Sequence, residues 1–281
     1  MSAVLQREPE IALSDRELDR IVRLVYDRSG ITLHRGKRAL VVARLHKMLK
    51  SGGFKSFSAY VRHVEGDRSG HELSTLLDAI TTNHTSFFRE DEHFHYLTDR
   101  VLPPLVAARR PVRVWCAACS TGQEPITLTV TLMEALPKAQ HDRIRLLASD
   151  ISTRALKTAG AGVYPTRVAA GVPASLLKAY FERGLGADEG KVRVQAHVRR
   201  VIEYRRLNLI EIDNLHETFD VVFCRNVMIY FDKAVQQRVV SMIERHLAPG
   251  GHLFIAHSES LNGLSHELKW MAPAVYQRRA E

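Results

Sequence analysis

Arg113 to Ile126, RVWCAACSTGQEPI, is the stretch on which the fold turns. Arg113 to Cys116 reads as a buried strand and Ala117 to Gly122 as a tight turn of small and polar residues. Glu124-Pro125 then opens a helix carried by Ile126, Leu128, Leu132 and Met133. Strand, turn and helix start in that order is the unit with which α/β folds hold a nucleotide-like ligand at the carboxyl end of a strand. Gly122 stands alone where the dinucleotide fingerprint has three glycines, so close approach of the backbone to a pyrophosphate is poorly supported. A ligand with an adenosine and no phosphates fits the stretch better.

A chain of 281 residues with a hydrophobic fraction of 45% has room for one large domain or two modest ones. Cys116, Cys119 and Cys224 all fall in or beside expected core strands, which points to a reducing compartment and away from a disulfide framework. No apolar run approaches a membrane span, and MSAVLQREPE at the N-terminus has neither an apolar stretch nor a cleavage-like site. The expectation is a cytoplasmic, soluble protein with no membrane insertion. The formal net charge is +9, and from Arg28 to Val64 there are nine Lys or Arg and no acid. A solvated helix face accounts for most such runs. The complete absence of acids favours a partner-binding surface instead, for nucleic acid, an anionic surface or an acidic protein.

The N-terminal third is patterned as helices. Ser14 and Glu17 make a capping box ahead of Leu18, Ile21, Val22 and Val25, which predicts a helix over Asp15 to Arg28. Val42, Leu45 and Leu49 form the apolar stripe of a second helix flanked by Lys37, Arg44 and Lys47 and ended by Ser51-Gly52-Gly53. Phe57 to Val64 and Leu73 to Ile80 predict two more. After Arg113 strands and helices alternate, as an open parallel sheet requires. Strands are expected at Ile144 to Ser149, Val201 to Leu207, Phe219 to Cys224 and Leu253 to Ala256, with helices over Ser152 to Ala159 and Ala234 to Leu247. Ala274 to Arg278, paired in a hairpin with Leu268 to Met271, finishes the sheet. Between Leu176 and Tyr204, Gly184, Gly186 and Gly190 punctuate the alternating Lys191 to Val194, a small antiparallel insertion.

Polar residues gather at the carboxyl ends of these strands: the Ser120 to Gly122 turn, Asp150, Asn208 and Asn226. In an open α/β sheet such ends face one crevice, and Asp150 follows Gly122 by 28 residues, near the separation at which an acid accepts hydrogen bonds from ribose hydroxyls. Each alone is as well explained by a helix cap; together they predict a nucleoside site. Ala118 to Gly122 also approaches a G-x-S-x-G nucleophile elbow, with Asp220 and His257 downstream, but the first glycine is missing and the serine follows the first strand of the sheet. Cys116 and Cys119 have C-x-x-C spacing, yet Cys116 belongs to the buried strand and no second pair completes a zinc site; no metal is expected. His93 and His95, two apart on a helix, point away from each other and read as ordinary helix residues. Thr81 to Glu90, TTNHTSFFRE, is too particular for a casual linker: Asn83 and Thr85 supply short polar groups and Arg89 a fork suited to a carboxylate.

TTNHTSFFRE, ACSTGQEP, LLASDIS, CRNVMIYFD and LAPGGHLFIAHSESL stand here in the order and spacing of the chemotaxis receptor methyltransferases of the CheR type, which this chain resembles over nearly its whole length. The resemblance implies a Rossmann-like S-adenosylmethionine-dependent methyltransferase domain with a small all-helical N-terminal domain and a small antiparallel β insertion. It divides the chain into a helical domain over 1–85, a linker and helix over 86–110, a methyltransferase domain over 111–281 and an inserted β-subdomain over 180–206. The implied cofactor is S-adenosyl-L-methionine, leaving S-adenosyl-L-homocysteine, and the implied substrates are glutamates on the cytoplasmic helices of chemoreceptors, as in chemotaxis adaptation.

Position by position, the resemblance places Asn83, Thr85 and Arg89 against the cofactor, with Arg89 suited to the methionyl carboxylate. It places Glu124 at the α-ammonium, Asp150 at the ribose, and Asn208-Leu209 and Asn226-Val227 around the adenine and the sulfonium end. Tyr230 lines the transfer site, where it and Arg89 orient the incoming carboxylate. The family more often has Glu-Glu-Pro-Tyr where this chain has Gln123-Glu124-Pro125-Ile126; the second acid is retained. Lys37, Arg44 and Lys47 then become a docking face for an acidic receptor helix, and the insertion a place for a receptor tail to add a strand. A nucleic-acid methyltransferase would share the charge but should show a base-flipping tetrad, which Arg225 to Met228 is not. A non-catalytic cofactor-binding module is disfavoured by the intact cofactor residues. The expected state is a monomer.

Overall fold

The protein is described by a computed structural model covering residues 11–280 apart from 34, 35, 37, 82, 83, 213 and 214. It divides into a helical unit that ends at Thr81 and a second unit from Thr82 onward. In the first, α1 (Asp15–Ser29), α2 (Arg38–Ser51), α3 (Phe57–Gly66) and α4 (His71–Ile80) pack around Ile21, Val25, Leu45, Leu49, Phe57, Leu76 and Leu77. The capping box forms as its residues predict: the Ser14 hydroxyl accepts from the Glu17 N–H while the Glu17 carboxylate accepts from the Ser14 N–H, and Gly30 ends α1 at φ 73°. Glu17 also accepts from the N–H and hydroxyl of Ser58, so the starts of α1 and α3 are tied through one carboxylate. Val41, Leu45 and Leu49 are the buried stripe of α2, with Val42 half-buried beside it.

The second unit opens with α5 (Glu92–Tyr96), a π turn over Leu97–Val101 and α6 (Leu102–Ala107). It continues β1 (Val112–Ala117), α7 (Gln123–Ala135), β2 (Ile144–Asp150), α8 (Thr153–Ala161), β3 (Val163–Pro165), α9 (Ala174–Tyr180), β4 (Phe181–Arg183), β5 (Lys191–Val194), α10 (Ala196–Arg199) and β6 (Ile202–Arg206). It closes with β7 (Phe219–Cys224), α11 (Lys233–His246), β8 (Leu247–Phe254), β9 (Lys269–Ala272) and β10 (Val275–Gln277). The main sheet runs β6-β2-β1-β7-β8-β10-β9, parallel as far as β8 and antiparallel beyond. The chain leaves β1 for β2 and β6 on one side and then returns to β7 on the other, so the carboxyl ends of β1 and β7 flank a topological switch point, where open α/β sheets bind ligands. The core covers both faces of the sheet, with Trp115 donating its indole N–H across to the Ser149 hydroxyl at 2.9 Å.

Two expectations about elements are corrected. Pro249-Gly250-Gly251 does not separate α11 from a strand starting at Leu253; β8 already begins at Leu247. Gly250 bends it at φ 74° while its N–H pairs with the Arg278 carbonyl, and the Arg278 guanidinium holds the Leu247 carbonyl at 2.5 Å, so pairing carries the strand through a glycine pair that local propensity reads as a turn. The antiparallel insertion forms a three-stranded sheet in the order β3-β5-β4, and β3 at Val163–Pro165 lies upstream of the 180–206 segment.

Candidate functional site

The turn after β1 is built by backbone strain and close approach. Ala118 and Ser120 sit at positive φ (65° and 52°) and Gly122 at 97°. A Cβ on Gly122 would lie 2.7 Å from the Ala159 Cβ and 2.8 Å from both the Ala159 Cα and the Tyr164 hydroxyl, so the glycine lets α8 pack directly on the turn. Tyr164 donates to the Thr121 carbonyl at 2.7 Å. Asp150, at the end of β2, accepts from the Ser120 N–H at 2.7 Å with one oxygen and from the Ser152 N–H at 2.9 Å with the other. Asn208 follows β6 directly alongside, since the Leu207 N–H donates to the Asp150 carbonyl at 3.1 Å; Leu209 is buried and Asn208 half-buried.

Glu124, in the first turn of α7, lies 3.1 Å from the Arg225 guanidinium and accepts from the Cys116 thiol at 3.2 Å. Burial pushes its carboxyl above the usual range, and Arg225 pulls it back. Arg225 follows β7 and has no exposed side-chain area. Its guanidinium also lies 3.1 Å from Glu90 and donates to the Arg89 carbonyl at 2.6 Å. Thr85 and Arg89 are half-buried, and Arg89 reaches the His84 carbonyl at 3.3 Å and the Glu90 carboxylate at 3.8 Å. Asn226 takes φ 57°, and its N–H, with those of Ile229 and Ala256, donates to the half-buried Glu259 carboxylate at 3.1, 3.3 and 2.9 Å. That carboxylate therefore sets the loop carrying Asn226, Val227 and the half-buried Tyr230, whose N–H bonds to the Val227 carbonyl. Strained non-glycine backbone at Ser120, Glu90 and Asn226 thus collects around one place, as it does where a surrounding structure holds a functional geometry.

Arg225 joins Arg89 to Glu124, Asp150 is tied to the turn through Ser120, and Asn208-Leu209 and Asn226-Val227 follow β6 and β7; Asn83 lies outside the described residues. In the helical unit, Lys37 also lies outside them, and Lys47 is exposed on α2. Arg44 departs from the expected docking face: it donates to the carbonyls of Ile80 and Thr81, capping the end of α4. Arg38, next along the basic run, pairs with Asp15 and the Leu13 carbonyl.

The nucleophile-elbow alternative fails on geometry. Asp220, near the start of β7, pairs with Arg110 at 2.5 Å and accepts the Arg113 N–H at 2.9 Å. It is therefore four strand residues, about 13 Å, from the carboxyl end of β7, the end of the sheet where Ser120 sits. Burial raises the thiols of Cys116, Cys119 and Cys224 well above their usual value, so none is a thiolate. His93 departs from an ordinary helix residue: it is buried against Phe223, Phe254 and His257, and neither ring nitrogen has a hydrogen-bond partner among the described residues. Glu90, His93 and His257 bring ligand-type atoms within 4.8 Å of one another. The Glu90 oxygen among them is the one paired with Arg225, and a cation there would have to compete with that guanidinium. Glu90, Arg225 and Glu259 lie inside quoted motifs yet escape sequence reasoning, because each acts on backbone or on a charge far away in the chain.

Residues 83–276 match the family model described as CheR methyltransferase, SAM binding domain, and residues 16–81 match CheR methyltransferase, all-alpha domain. The chain is similar to the chemotaxis protein methyltransferase of Salmonella typhimurium, 39% identical over 98% of this chain and 94% of that one. It is also similar to chemotaxis protein methyltransferase 2 of Pseudomonas aeruginosa, 38% identical over 95% and 94%. The chemotaxis protein methyltransferase of Escherichia coli is 38% identical over 98% and 95%.

Proposed function

The chain belongs to the CheR methyltransferase family and is an S-adenosylmethionine-dependent methyltransferase of chemotaxis, and on that premise we propose that it esterifies glutamate side chains on the cytoplasmic helices of chemoreceptors. The observation that carries this reading is the gathering of Glu124, Asp150, Asn208 and Asn226 at adjacent strand ends around the switch point, with Arg89 tied to them through Arg225.

The donor set suits an amino-acid nucleoside. Glu124 presents a carboxylate to an ammonium, Arg89 a guanidinium to a carboxylate, and Asp150 acceptors to ribose hydroxyls, while the Ser120 hydroxyl is buried in the same turn without a partner. Asn208 and Leu209 would take the adenine, Asn226 and Val227 the sulfonium end, and Thr85 and Asn83 the remaining rim. Held by these residues, S-adenosylmethionine would supply a methyl group on a cationic sulfonium for transfer to the carboxylate oxygen, with S-adenosylhomocysteine as the product. A glutamate carboxylate, with a reference pKa of about 4.3, is already ionised at neutral pH, so the chain needs no general base. Its residues have to align the carboxylate and exclude water, and Tyr230 and Arg89 are placed in that role.

Lys47 is the docking cation of α2 in this reading, since Arg44 is engaged within its own unit. The β insertion is the proposed seat of a receptor tail, and the working state a cytoplasmic monomer. Among the described residues, no helix is long and apolar enough to cross a membrane. The test is transfer of labelled methyl from S-adenosylmethionine to purified receptor fragments, read as base-labile carboxyl esters, with wild type and Asp150→Ala side by side. Wild type should label the receptor and Asp150→Ala should lose S-adenosylhomocysteine binding by calorimetry. Label in nucleic acid, or none in any receptor fragment, would sink the reading.

A further inference from the structure

Arg225 has no place among the cofactor contacts above, yet it is the most enclosed charge in the site. Its guanidinium holds Glu124 at 3.1 Å, Glu90 at 3.1 Å and the Arg89 carbonyl at 2.6 Å, while the rings of Phe94 and Phe223 lie 5.8 and 5.9 Å from its central carbon. The planar fork thus lies beside two aromatic rings, paired with two carboxylates and hydrogen-bonded to one carbonyl. Its partners come from two segments that the sequence separates: the strained turn at Arg89-Glu90 and the first turn of α7.

We propose that Arg225 is a positioning residue for the cofactor, orienting Glu124 and the Arg89 backbone so that the two ends of the cofactor's amino-acid group meet their partners at a set separation. This rests on the assignment of Glu124 and Arg89 to the ammonium and carboxylate. Glu90 is the outer anchor. Burial works against its charge, but Arg225, the His257 N–H and His93 hold its carboxyl below the usual range, so it stays an anion against which the guanidinium is braced.

Positioning and plain packing differ in a readout. The charged or titratable groups facing Glu124 are Arg225, the Arg89 and Glu90 turn, and the thiols of Cys116, Cys119 and Cys224, which burial keeps protonated. Of these, Arg225 acts most strongly in favour of the ionised form of Glu124, against its burial. Calorimetry with S-adenosylhomocysteine from about pH 6 to about pH 9, on full-length wild type, R225M, R225K, E90Q and E124Q, separates the cases. R225M should bind about tenfold to a hundredfold more weakly, the range seen when an outer group that orients a ligand-binding residue is removed. Its affinity should rise with pH as the unpaired Glu124 deprotonates. R225K should recover the wild-type pH profile without the full affinity, because a compact ammonium lacks the planar fork that reaches acceptors on two segments, and E90Q should fall between R225K and wild type. In turnover, KM for S-adenosylmethionine should move more than kcat.

Wild-type affinity in R225M with impaired E124Q overturns the positioning role and leaves the site assignment standing. Wild-type affinity in E124Q overturns the site assignment and the proposal with it. Weak but pH-independent binding by R225M assigns Arg225 to packing alone and overturns the proposal. Should R225M fail to fold, wild-type affinity in both R225K and E90Q overturns it equally.

Discussion

His93 shows how much a single position owes to its surroundings. In the sequence it is one of two histidines on a short helix; in the fold it lies against Phe223, Phe254 and His257, with no hydrogen bond to either nitrogen among the described residues. Burial, with Arg225 and His257 nearby, pushes its pKa from 6.5 down to about 4. The folded state thus binds a proton less readily than the unfolded chain, so His93 contributes stability that is present above 6.5 and lost as pH falls through about 4. His93→Phe, which keeps the ring and removes the titration, should flatten the fall in melting temperature over that window; an unchanged slope would assign the acid sensitivity elsewhere. Arg225 and Glu259 were invisible for a related reason. Arg225 meets the Arg89 carbonyl 136 residues away in sequence, and Glu259 serves backbone N–H groups, which carry no residue signature.

Helix starts and strand periods were legible wherever the cause was local. The capping box at Ser14 and Glu17 forms because its bonds span three residues, and Ser14→Ala should cost the helical unit about 1 kcal/mol in urea unfolding. The turn before α7 was legible as a ligand loop, but the reason for its one glycine was not: Gly122 is required by Ala159 and Tyr164, from elements later in the chain. Gly122→Ala adds a clash and keeps a left-handed φ of 97°, so it should destabilise by about 1–3 kcal/mol and weaken S-adenosylhomocysteine binding. Wild-type stability in that variant would mean α8 moves away freely. The start of β8 at Leu247 was missed because Pro249-Gly250-Gly251 reads locally as a turn, and only pairing with Arg278 keeps it in the sheet.

For the molecule as a whole, the net charge of +9 would make encounter with the acidic receptor helix proposed above dependent on ionic strength. With a screening length of about 10 Å at about 0.1 M salt, kcat/KM for a receptor fragment should fall several-fold as salt is raised, while S-adenosylhomocysteine affinity changes little. Salt-independent turnover would remove the basic surface from docking. Sequence alone determined the helical unit followed by a strand-helix alternation, the ligand turn at 113–126 and the polar residues at strand ends, because hydrophobic period, caps and turn chemistry act within a few residues. The tertiary structure decided which charges face which. It withdrew Arg44 from the docking face to cap α4, placed Asp220 at the far end of the sheet from Ser120, and joined Glu90, Arg225 and Glu124 into one buried ion group. Such pairings depend on burial and on distances between strands brought together by the crossover at β1 and β7, and no local pattern encodes them.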